Sequence, residues 1–232
     1  MKRQKIAVLT GAGISAESGL KTFRDSGGLW EGYDVMEVAS IDGWYRNKER
    51  VLEFYNIRRK QAWQAQPNAG HRALVDLEQA FDVVVITQNV DNLHEKAGSS
   101  QVVHLHGELS KVKSSIDESY VIDIADGQIS LGDTCPKGGQ LRPDVVWFGE
   151  MVPMMEVAAQ HVEECDILLI IGTSLMVYPA AGLAHQTRPG TKIYVVDPSS
   201  PEIFGLTDVE FITETAAKGT PALVKRLMNM KA

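Results

Sequence analysis

The chain has 232 residues, 44% of them hydrophobic, which suits one domain, or one domain with a smaller insertion, around a sizeable core. A formal net charge of −7 excludes a broad basic surface for nucleic acid, although a local basic patch could still bind an acidic substrate. Two cysteines, Cys135 and Cys165, exclude a disulfide framework and suit a reducing cytosol. The apolar run at residues 6–9 is too short for a signal-peptide core or a membrane span, so we expect a cytoplasmic protein without a membrane or nucleic-acid partner.

Five apolar, β-branched runs have the length of strands and end in turn residues. In chain order they cover residues 6–10, 83–87, 102–105, 167–171 and 193–197. Their continuous apolar character predicts burial on both faces, as in a parallel sheet covered by helices. Helical patterns at 157–164, 180–186 and 221–230 alternate with the later strands. The sequence therefore predicts an α/β fold with a Rossmann-like, doubly wound parallel sheet.

Two stretches interrupt this alternation. Residues 33–79 contain no strand pattern but two amphipathic helices, one at 49–64 and one that begins near Pro67 and Asn68. Residues 110–141 include an alternation of apolar and polar residues around Asp126 and Gly127, which predicts a β-hairpin. The two insertions predict a small second lobe. The remaining segments, 1–32, 80–109 and 142–232, form the predicted Rossmann-like domain.

A glycine-rich loop follows the first predicted strand. Gly11, Gly13 and Ala16 stand in the order G-x-G-x-x-A, which lets a backbone approach a pyrophosphate. The same glycines fit a tight strand-to-helix turn without a ligand, and the motif alone does not decide between the two. An ordinary dehydrogenase would continue into a second strand that ends in an acidic residue. Here residues 22–30 carry a Ser-Gly-Gly turn instead and are predicted to form a mobile flap.

Polar residues also follow the second and third predicted strands. Asn89 and Asp91 either line a ligand site at the carboxyl end of the strand or cap a helix that begins near Asn92. His106 follows the third run, and an imidazole with a pKa near ~6.5 suits proton removal at neutral pH. A lone strand histidine is more often structural, so its residue type alone does not make it catalytic.

Five segments resemble, in order and in spacing, the motifs of the sirtuins, the NAD-dependent protein lysine deacylases. They are GAGISAESGLKTFRDSGGLW, TQNVDNLHEKAG, HLHGEL, LRPDVVWFGE and IGTSLMVYPA. The resemblance covers most of the chain and implies a large Rossmann-like domain with a small helical and zinc-ribbon lobe. It also implies that NAD is a co-substrate, that acylated lysines of proteins are the substrates, and that nicotinamide and an O-acyl-ADP-ribose are released.

The resemblance assigns roles to individual residues. His106 is the implied general base, and Asn89 and Asp91 are the other implied catalytic residues. The implied NAD contacts are Gly11, Ala12, Gly13, Ala16, Glu17, Phe23, Arg24, Trp30, Gln88, Asn89, Asp91, Gly172, Thr173, Ser174, Asp197 and Ala216. The implied peptide contacts, from an extended segment that would pair with the substrate backbone, are Val146, Trp147, Phe148 and Gly149. Trp147 and Phe148 suit the core equally well.

Tyr55 and Arg58 match the Y-x-x-R pair of the sirtuin class that acts on negatively charged acyl groups such as succinyl and malonyl. On a helix both side chains fall on one largely apolar stripe. Arginine offers a planar fork of donors to a carboxylate, and Ala39 lies where this class tends to have a small residue. The alternative is that Arg58, like Arg59, is a solvated or salt-bridged helix residue without a ligand.

The sequence departs from the sirtuin pattern in the small lobe. Most sirtuins hold a structural zinc with four cysteines in two C-x-x-C pairs. Here serines, including Ser114, stand in place of the first pair, and only Cys135 remains of the second. Because tetrahedral zinc needs four ligands and Cys165 lies outside the lobe, the sequence predicts no bound metal.

Three functions stay open at this stage. A deacylase, a mono-ADP-ribosyltransferase and a non-catalytic module that binds NAD or ADP-ribose would all use this fold. The presence of His106, Asn89 and Asp91 favours an active enzyme, and the deacylase is the leading hypothesis. The oligomeric state is not predicted.

Overall fold

The computed structural model describes residues 3–21, 29–30, 32–199, 205–206 and 208–230. Phe23 and Arg24 lie outside these residues, as does most of the flap predicted at 22–30. Of Trp30 only the backbone is described.

The described chain alternates strands and helices. The strands are β1 (Lys5–Thr10), β2 (Leu29–Trp30), β3 (Tyr33–Asp34), β4 (Asp82–Thr87), β5 (Val102–His104), β6 (Gly107–Ser114), β7 (Val121–Asp123), β8 (Leu141–Val145), β9 (Ile167–Ile171), β10 (Lys192–Val196) and β11 (Val209–Ile212). The helices are α1 (Ala12–Ala16), α2 (Val35–Val38), α3 (Ile41–Arg46), α4 (Lys48–Gln64), α5 (Ala69–Leu77), α6 (Leu93–Ala97), α7 (Met155–Glu164) and α8 (Ala216–Asn229), with a 3-10 helix at Ala180–Gln186. Among these helices, none combines the length and the apolar character needed to cross a bilayer.

A six-stranded sheet forms the larger part of the structure. Its order is β11-β10-β9-β1-β4-β5, and every pair of neighbours is parallel. Helices α5 and α8 share a buried apolar cluster with one face of the sheet, and α7 and the 3-10 helix share another with the opposite face. The central strands are continuously apolar because both faces are buried. The predicted doubly wound α/β fold is confirmed.

The helical pattern at 180–186 is confirmed as a 3-10 helix with the same bounds, whereas one helix start differs from the structure. Helix α8 begins at Ala216, five residues before the predicted start, and contains Pro221 in its interior. The position of Pro221 in the sequence therefore predicted the start of this helix five residues too late. The predicted start of α5 is correct, because the Asn68 side chain accepts a hydrogen bond from Gly70 N as the N-cap.

The helical part of the small lobe contains α2, α3 and α4. Their buried side chains form a third apolar cluster together with residues of β6 and β8. The long helix predicted at 49–64 is confirmed as α4. The expectation of no strand in 33–79 is wrong at its first residues, because β3 pairs antiparallel with β2.

The β part of the small lobe is a three-stranded antiparallel sheet with the order β7-β6-β8. A hairpin is present, but its turn covers residues 115–120 and not Asp126-Gly127. After the tight turn in which Gly127 N donates to Ile124 O, the chain packs against α4 instead of forming a strand. There the Asn56 side chain donates to Ile129 O and accepts from Ile129 N, at 2.9 and 3.0 Å. This sheet begins and ends a few residues outside 110–141, and the division into domains stays a prediction.

Candidate active site

Four loops meet at the carboxyl edge of the large sheet. The glycine loop follows β1, residues 88–91 follow β4, His106 lies just beyond β5, and residues 172–174 follow β9. These four strands are neighbours in the sheet, so the segments that follow them lie side by side. Ligands of open α/β sheets bind at this edge, outside the carboxyl ends of the strands.

The glycine loop is packed directly against the loop after β9. Gly11 N donates to Ile171 O at 3.1 Å, and Gly13 N donates to Gly172 O at 2.8 Å. A Cβ atom on Gly13 would lie 2.6 Å from Gly172 Cα, and Gly172 itself has a φ of 62°. The close approach of two backbones therefore requires glycine here, whatever else the loop binds. Ala12 and Ala16 are the first and last residues of α1.

A buried polar network joins the glycine loop to the loop after β4. Asn89 Nδ2 donates to Gly11 O and to Ser15 Oγ, both at 3.1 Å. Ser15 Oγ in turn donates to Asp91 Oδ2 at 3.0 Å. The capping alternative holds in part, since Asp91 Oδ1 accepts from Leu93 N, but Asn89 is directed to the glycine loop. The sequence motifs missed Ser15, whose only signal is a hydroxyl on the buried side of α1.

The charge of Asp91 depends on its neighbours. Burial raises the pKa of the Asp91 carboxyl. The hydrogen bonds from Leu93 and Ser15 act in the opposite direction. The positive charges of His104 and Arg58 also favour the carboxylate. Asp91 is therefore a buried acid within electrostatic range of two cations.

The two histidines near β5 have different protonation states. His106 Nδ1 lies 3.0 Å from Gln88 O, so Nδ1 carries the proton and Nε2 keeps its lone pair. Burial lowers the pKa of His106, so the ring is neutral at pH 7. This tautomer, assigned from the acceptor at Nδ1, is the one that a general base needs.

His104 has acceptors at both ring nitrogens. Its Nδ1 lies 3.3 Å from Asn89 O and its Nε2 lies 2.7 Å from Glu95 Oε1. Burial lowers the pKa of His104, but the hydrogen bond and the charge of Glu95 outweigh this effect and the pKa is raised. Acceptors at both ring nitrogens favour the doubly protonated, imidazolium form of His104, which makes it a poorer proton acceptor than His106. Geometry thus distinguishes His106 from His104, which residue type did not.

Further side chains at this edge connect its loops to one another and to α8. Gln88 Nε2 donates to Thr173 Oγ1 at 3.1 Å and joins the loops after β4 and β9, next to Ser174. The Glu17 carboxylate accepts from Thr215 Oγ1 and from Ala217 N at the start of α8, which brings it beside buried Ala216.

Asp197 lies directly after β10, one strand beyond the loop that follows β9. Its side chain is buried, and Oδ1 accepts from Ser199 N at 2.9 Å. Its carboxylate therefore shapes a turn at the same edge of the sheet as the glycine loop.

Tyr55 and Arg58 are both buried on α4, and Arg58 is only 7% exposed. Burial therefore contradicts a solvated Arg58, whereas a salt-bridged Arg58 without a ligand stays the alternative. Trp147 Nε1 donates to Tyr55 Oη at 2.9 Å, so the phenol accepts there and directs its own hydrogen elsewhere. Burial raises the pKa of the Tyr55 phenol, while the charge of Arg58 acts against this rise.

The neighbouring Arg59 has a different environment. Its Nε donates to Leu109 O at 2.5 Å, and Nη1 donates to Asn56 Oδ1 and Gly127 O. These bonds connect α4 to the β part of the small lobe. Arg59 is therefore a structural residue.

Residues 146–149 directly follow β8 and run to the helical part of the small lobe. Val146 N donates to His106 O at 2.9 Å, so this segment touches the histidine directly. Phe148 N donates to Ala39 O at 2.9 Å, which places Ala39 beside it. Trp147 is buried in the core of the small lobe, whereas Phe148 is 41% exposed, and Gly149 has a φ of 91°. This arrangement favours Phe148 over Trp147 as a contact for a partner chain.

The described groups around Cys135 in the small lobe form hydrogen bonds and an ion pair but no set of metal ligands. Ser114 Oγ donates to Cys135 Sγ at 3.1 Å and accepts from the backbone N–H groups of Ile116 and Asp117. Asp117 also pairs with Lys137 at 2.6 Å. Across the described ranges, no three His, Cys, Asp or Glu side chains cluster as ligands. One thiol and one hydroxyl do not fit tetrahedral zinc.

A doubly wound parallel sheet with a glycine loop and a buried polar network at its carboxyl edge defines a Rossmann-like α/β protein. The Sir2 family profile matches residues 11–179. The chain belongs to the Sir2 family.

Relatives and solved structures agree with this membership. The chain is 49% identical over 230 residues to a protein of Bacteroides thetaiotaomicron named NAD-dependent protein deacylase, which covers 97% of this chain and 98% of the relative. A Helicobacter pylori protein of the same name is 48% identical over 227 residues, with 98% and 97% covered. A crystal structure of a Sir2 homologue with NAD superposes with a TM-score of 0.89 at 35% identity, over 99% of this chain and 91% of the other. A Sir2 protein with a p53 peptide and NAD has a TM-score of 0.80 at 29% identity, with 98% and 93% covered.

Proposed function

We propose that this protein is an NAD-dependent protein-lysine deacylase that removes acetyl and acidic acyl groups such as succinyl and malonyl. The observation that carries the proposal is a neutral His106, in the tautomer of a base, beside the buried Asn89–Ser15–Asp91 network. Relatives that match nearly the full chain carry the name NAD-dependent protein deacylase. Acyl-lysine, NAD and one water are consumed, and the products are the free lysine, nicotinamide and O-acyl-ADP-ribose.

The polar groups at the carboxyl edge suit NAD as the co-substrate. Hydroxyl, amide and carboxylate groups match the hydroxyls of a ribose and the carboxamide of nicotinamide. The proposed contacts near the nicotinamide and its ribose are Gln88, Asn89, Asp91, Thr173 and Ser174, and those toward the phosphates and the adenosine are Gly11, Ala12, Gly13, Ala16, Glu17, Gly172, Asp197 and Ala216. When bound, NAD supplies a ribose carbon that carries nicotinamide as its leaving group and takes up the acyl group.

His106 performs the proton transfer in this proposal. Its Nε2 accepts a proton from a hydroxyl that attacks the acyl group, and the Gln88 carbonyl holds the proton already on Nδ1. The hydrogen bond to Gln88 keeps the ring oriented and stabilises the imidazolium that forms. Asn89 and Asp91 shape the pocket around the reacting carbon.

Tyr55 and Arg58 support the preference for acidic acyl groups. Both are buried on one stripe of α4. The positive charge of Arg58 acts to lower the pKa of Asp91, so this stripe lies close to the loop after β4. A buried guanidinium binds a carboxylate in a bidentate manner, and the phenol adds a third donor. Ala39 contributes a small side chain near Phe148. An acidic acyl group between α4 and Asp91 would meet these donors.

The acylated lysine arrives on a protein segment that contacts residues 146–149. Val146 touches His106, so a peptide beside this segment lies next to the base. The Phe148 amide and carbonyl are already bonded to Ala39 and Ile41, and the Val146 amide is bonded to His106 O, so the Val146 carbonyl and the Gly149 backbone offer the better contacts. Both free cysteines are buried, which fits a reducing compartment, and the cytoplasm is the proposed location.

Release of nicotinamide that depends on an acyl-lysine peptide is the result we expect from purified protein with NAD. The acyl group is required because its carbonyl oxygen displaces nicotinamide. The measurement is chromatographic detection of nicotinamide with acetyl, succinyl and unmodified lysine peptides. Release with an unmodified acceptor protein, and with no need for an acyl group, would indicate mono-ADP-ribosyl transfer instead. Binding of NAD without turnover of any peptide would indicate a non-catalytic module.

We also propose that the small lobe folds without zinc. The hydrogen bonds of Ser114 and the ion pair of Asp117 with Lys137 occupy the loops that a metal would otherwise join. Metal analysis of protein purified without chelator is expected to give far less than one zinc per chain, and EDTA is expected to leave Tm unchanged. One tightly held zinc per chain would contradict this.

A further inference from the structure

His104 is the last residue of β5, and its surroundings differ from those of His106, the implied base. Its side chain is 9% exposed, and its two ring nitrogens point to a backbone carbonyl, Asn89 O, and to a carboxylate, Glu95 Oε1. Neither acceptor can donate a proton in return when Glu95 is ionised. The ring therefore has to carry both protons to make the two bonds.

Four ionisable groups face His104 from the elements around it. Glu95 and His94 belong to α6, Asp91 belongs to the loop after β4, and Glu108 belongs to β6. Three of the four are acidic, and His94 is kept neutral by burial, which lowers its pKa. The surroundings thus favour a cation at this position.

The two histidines hold two successive carbonyl groups of the loop after β4. His106 Nδ1 donates to Gln88 O, and His104 Nδ1 donates to Asn89 O. The Asn89 side chain, anchored in this way, donates to Gly11 O and to Ser15 Oγ. A change at His104 is therefore transmitted to Asn89 through this hydrogen bond to its backbone carbonyl.

We propose that His104 is a positioning residue, whose hydrogen bond holds the Asn89 carbonyl in place and whose positive charge favours the carboxylate form of buried Asp91. This inference rests on the proposed deacylase function, because its effect on rate is read in that reaction. The cation offsets the cost of burying the Asp91 charge. Its hydrogen bond keeps Asn89 in contact with the glycine loop.

A pH dependence with a definite sign follows from this role. His104 is charged below its pKa and neutral above it. Since that pKa is raised, the charge persists to a higher pH than in an ordinary histidine and is lost as the pH increases through the raised pKa. The reaction rate is therefore expected to fall on the alkaline side as His104 loses its proton.

Glu95→Gln is the variant that tests the proposal. Glutamine keeps the size of the side chain but removes the charge that stabilises the imidazolium. The alkaline limb of kcat is expected to move to lower pH by about one unit, as for loss of an opposite charge at hydrogen-bond distance. The matched control is Glu164→Gln, which removes a similarly exposed glutamate from its ion pair with Lys5 at the opposite edge of the sheet. This control is expected to leave the alkaline limb of kcat at the same pH as in the wild type.

His104→Gln provides a second variant. Without the charge at any pH, its kcat at pH 7 is expected to be about tenfold lower and to show no alkaline limb from this group, a loss of the order of one charged hydrogen bond. The KM for the peptide is expected to change little, since His104 does not touch it. A drop in Tm with an unmoved alkaline limb in both variants would show a merely structural role and overturn the proposal.

Nitrogen-15 NMR of labelled histidine reads the charge of His104 without any turnover. Both ring nitrogens of His104 are expected to show imidazolium shifts at pH 7, and Glu95→Gln is expected to lower the titration midpoint. A neutral ring at pH 7 in the wild type would overturn the proposal. Because this measurement needs no activity, it separates failure of the His104 proposal from failure of the deacylase proposal, which the nicotinamide assay decides.

Discussion

Arg58→Met is expected to raise the KM for a succinyl-lysine peptide about a hundredfold, while the KM for the matched acetyl-lysine peptide changes only slightly. The succinyl carboxylate loses two charge-assisted hydrogen bonds, each worth roughly 1.5–3 kcal/mol, and about 1.4 kcal/mol corresponds to a factor of ten. The acetyl group carries no charge and loses little. The measurement is steady-state kinetics with the two peptides at saturating NAD.

The adjacent Arg59 offers a matched control for this experiment. Arg59→Met removes hydrogen bonds to Leu109, Asn56 and Gly127 that connect α4 to the β part of the small lobe. It is expected to lower Tm and to affect both peptides alike. Equal effects of Arg58→Met on the KM values for the two peptides would contradict the proposal that Arg58 recognises the negative charge of the acyl group.

His106→Gln is expected to lower kcat by about 10²–10⁴, the usual contribution of a general base, while NAD binding is retained. Glutamine can still donate to the Gln88 carbonyl, so the loop keeps its anchor but loses the proton acceptor at Nε2. Single-turnover kinetics measure the chemical step, and calorimetry measures the affinity for NAD. His161→Gln, on α7 behind the sheet, is the control and is expected to behave as the wild type.

The acid limb of the wild-type profile checks the same assignment. His106 acts as a base only when neutral, that is, above its pKa. Since burial lowers this pKa, the rate is expected to stay high to a pH below the usual ~6.5 of histidine and to fall only under it. A turnover in His106→Gln close to that of the wild type would contradict the role of His106.

The strands and several site residues could be predicted because their signals are local. The buried strands β1, β4 and β9 are continuous apolar runs, since both of their faces are covered by helices. The start of α5 is marked by Asn68, whose side chain caps the helix within three residues of chain. The glycine loop, the Asn89 and Asp91 segment and the histidine motif each occupy a few consecutive residues, so their order and spacing are visible in the sequence.

Apart from the start of α8, where Pro221 was a misleading local signal, the features that the sequence did not predict depend on a distant partner. The alternating residues around Asp126 and Gly127 form no hairpin, because the Asn56 side chain binds the backbone of Ile129 in place of a strand. Ser15 was overlooked because its role is defined by Asn89 and Asp91, more than 70 residues away.

The sequence by itself determined the class of fold, the family and the set of residues at the carboxyl edge of the sheet, because apolar runs and short motifs are local properties of the chain. Only the tertiary structure decided the hydrogen-bond partners and the burial of each residue, and with them the direction of its pKa shift. Arg58 and Arg59 are neighbours of the same type, and His104 and His106 differ by two positions, yet folding gives the two members of each pair different surroundings. Protonation and hydrogen bonding depend on groups that folding brings together from separate strands, and the spacing of residues along the chain does not contain that information.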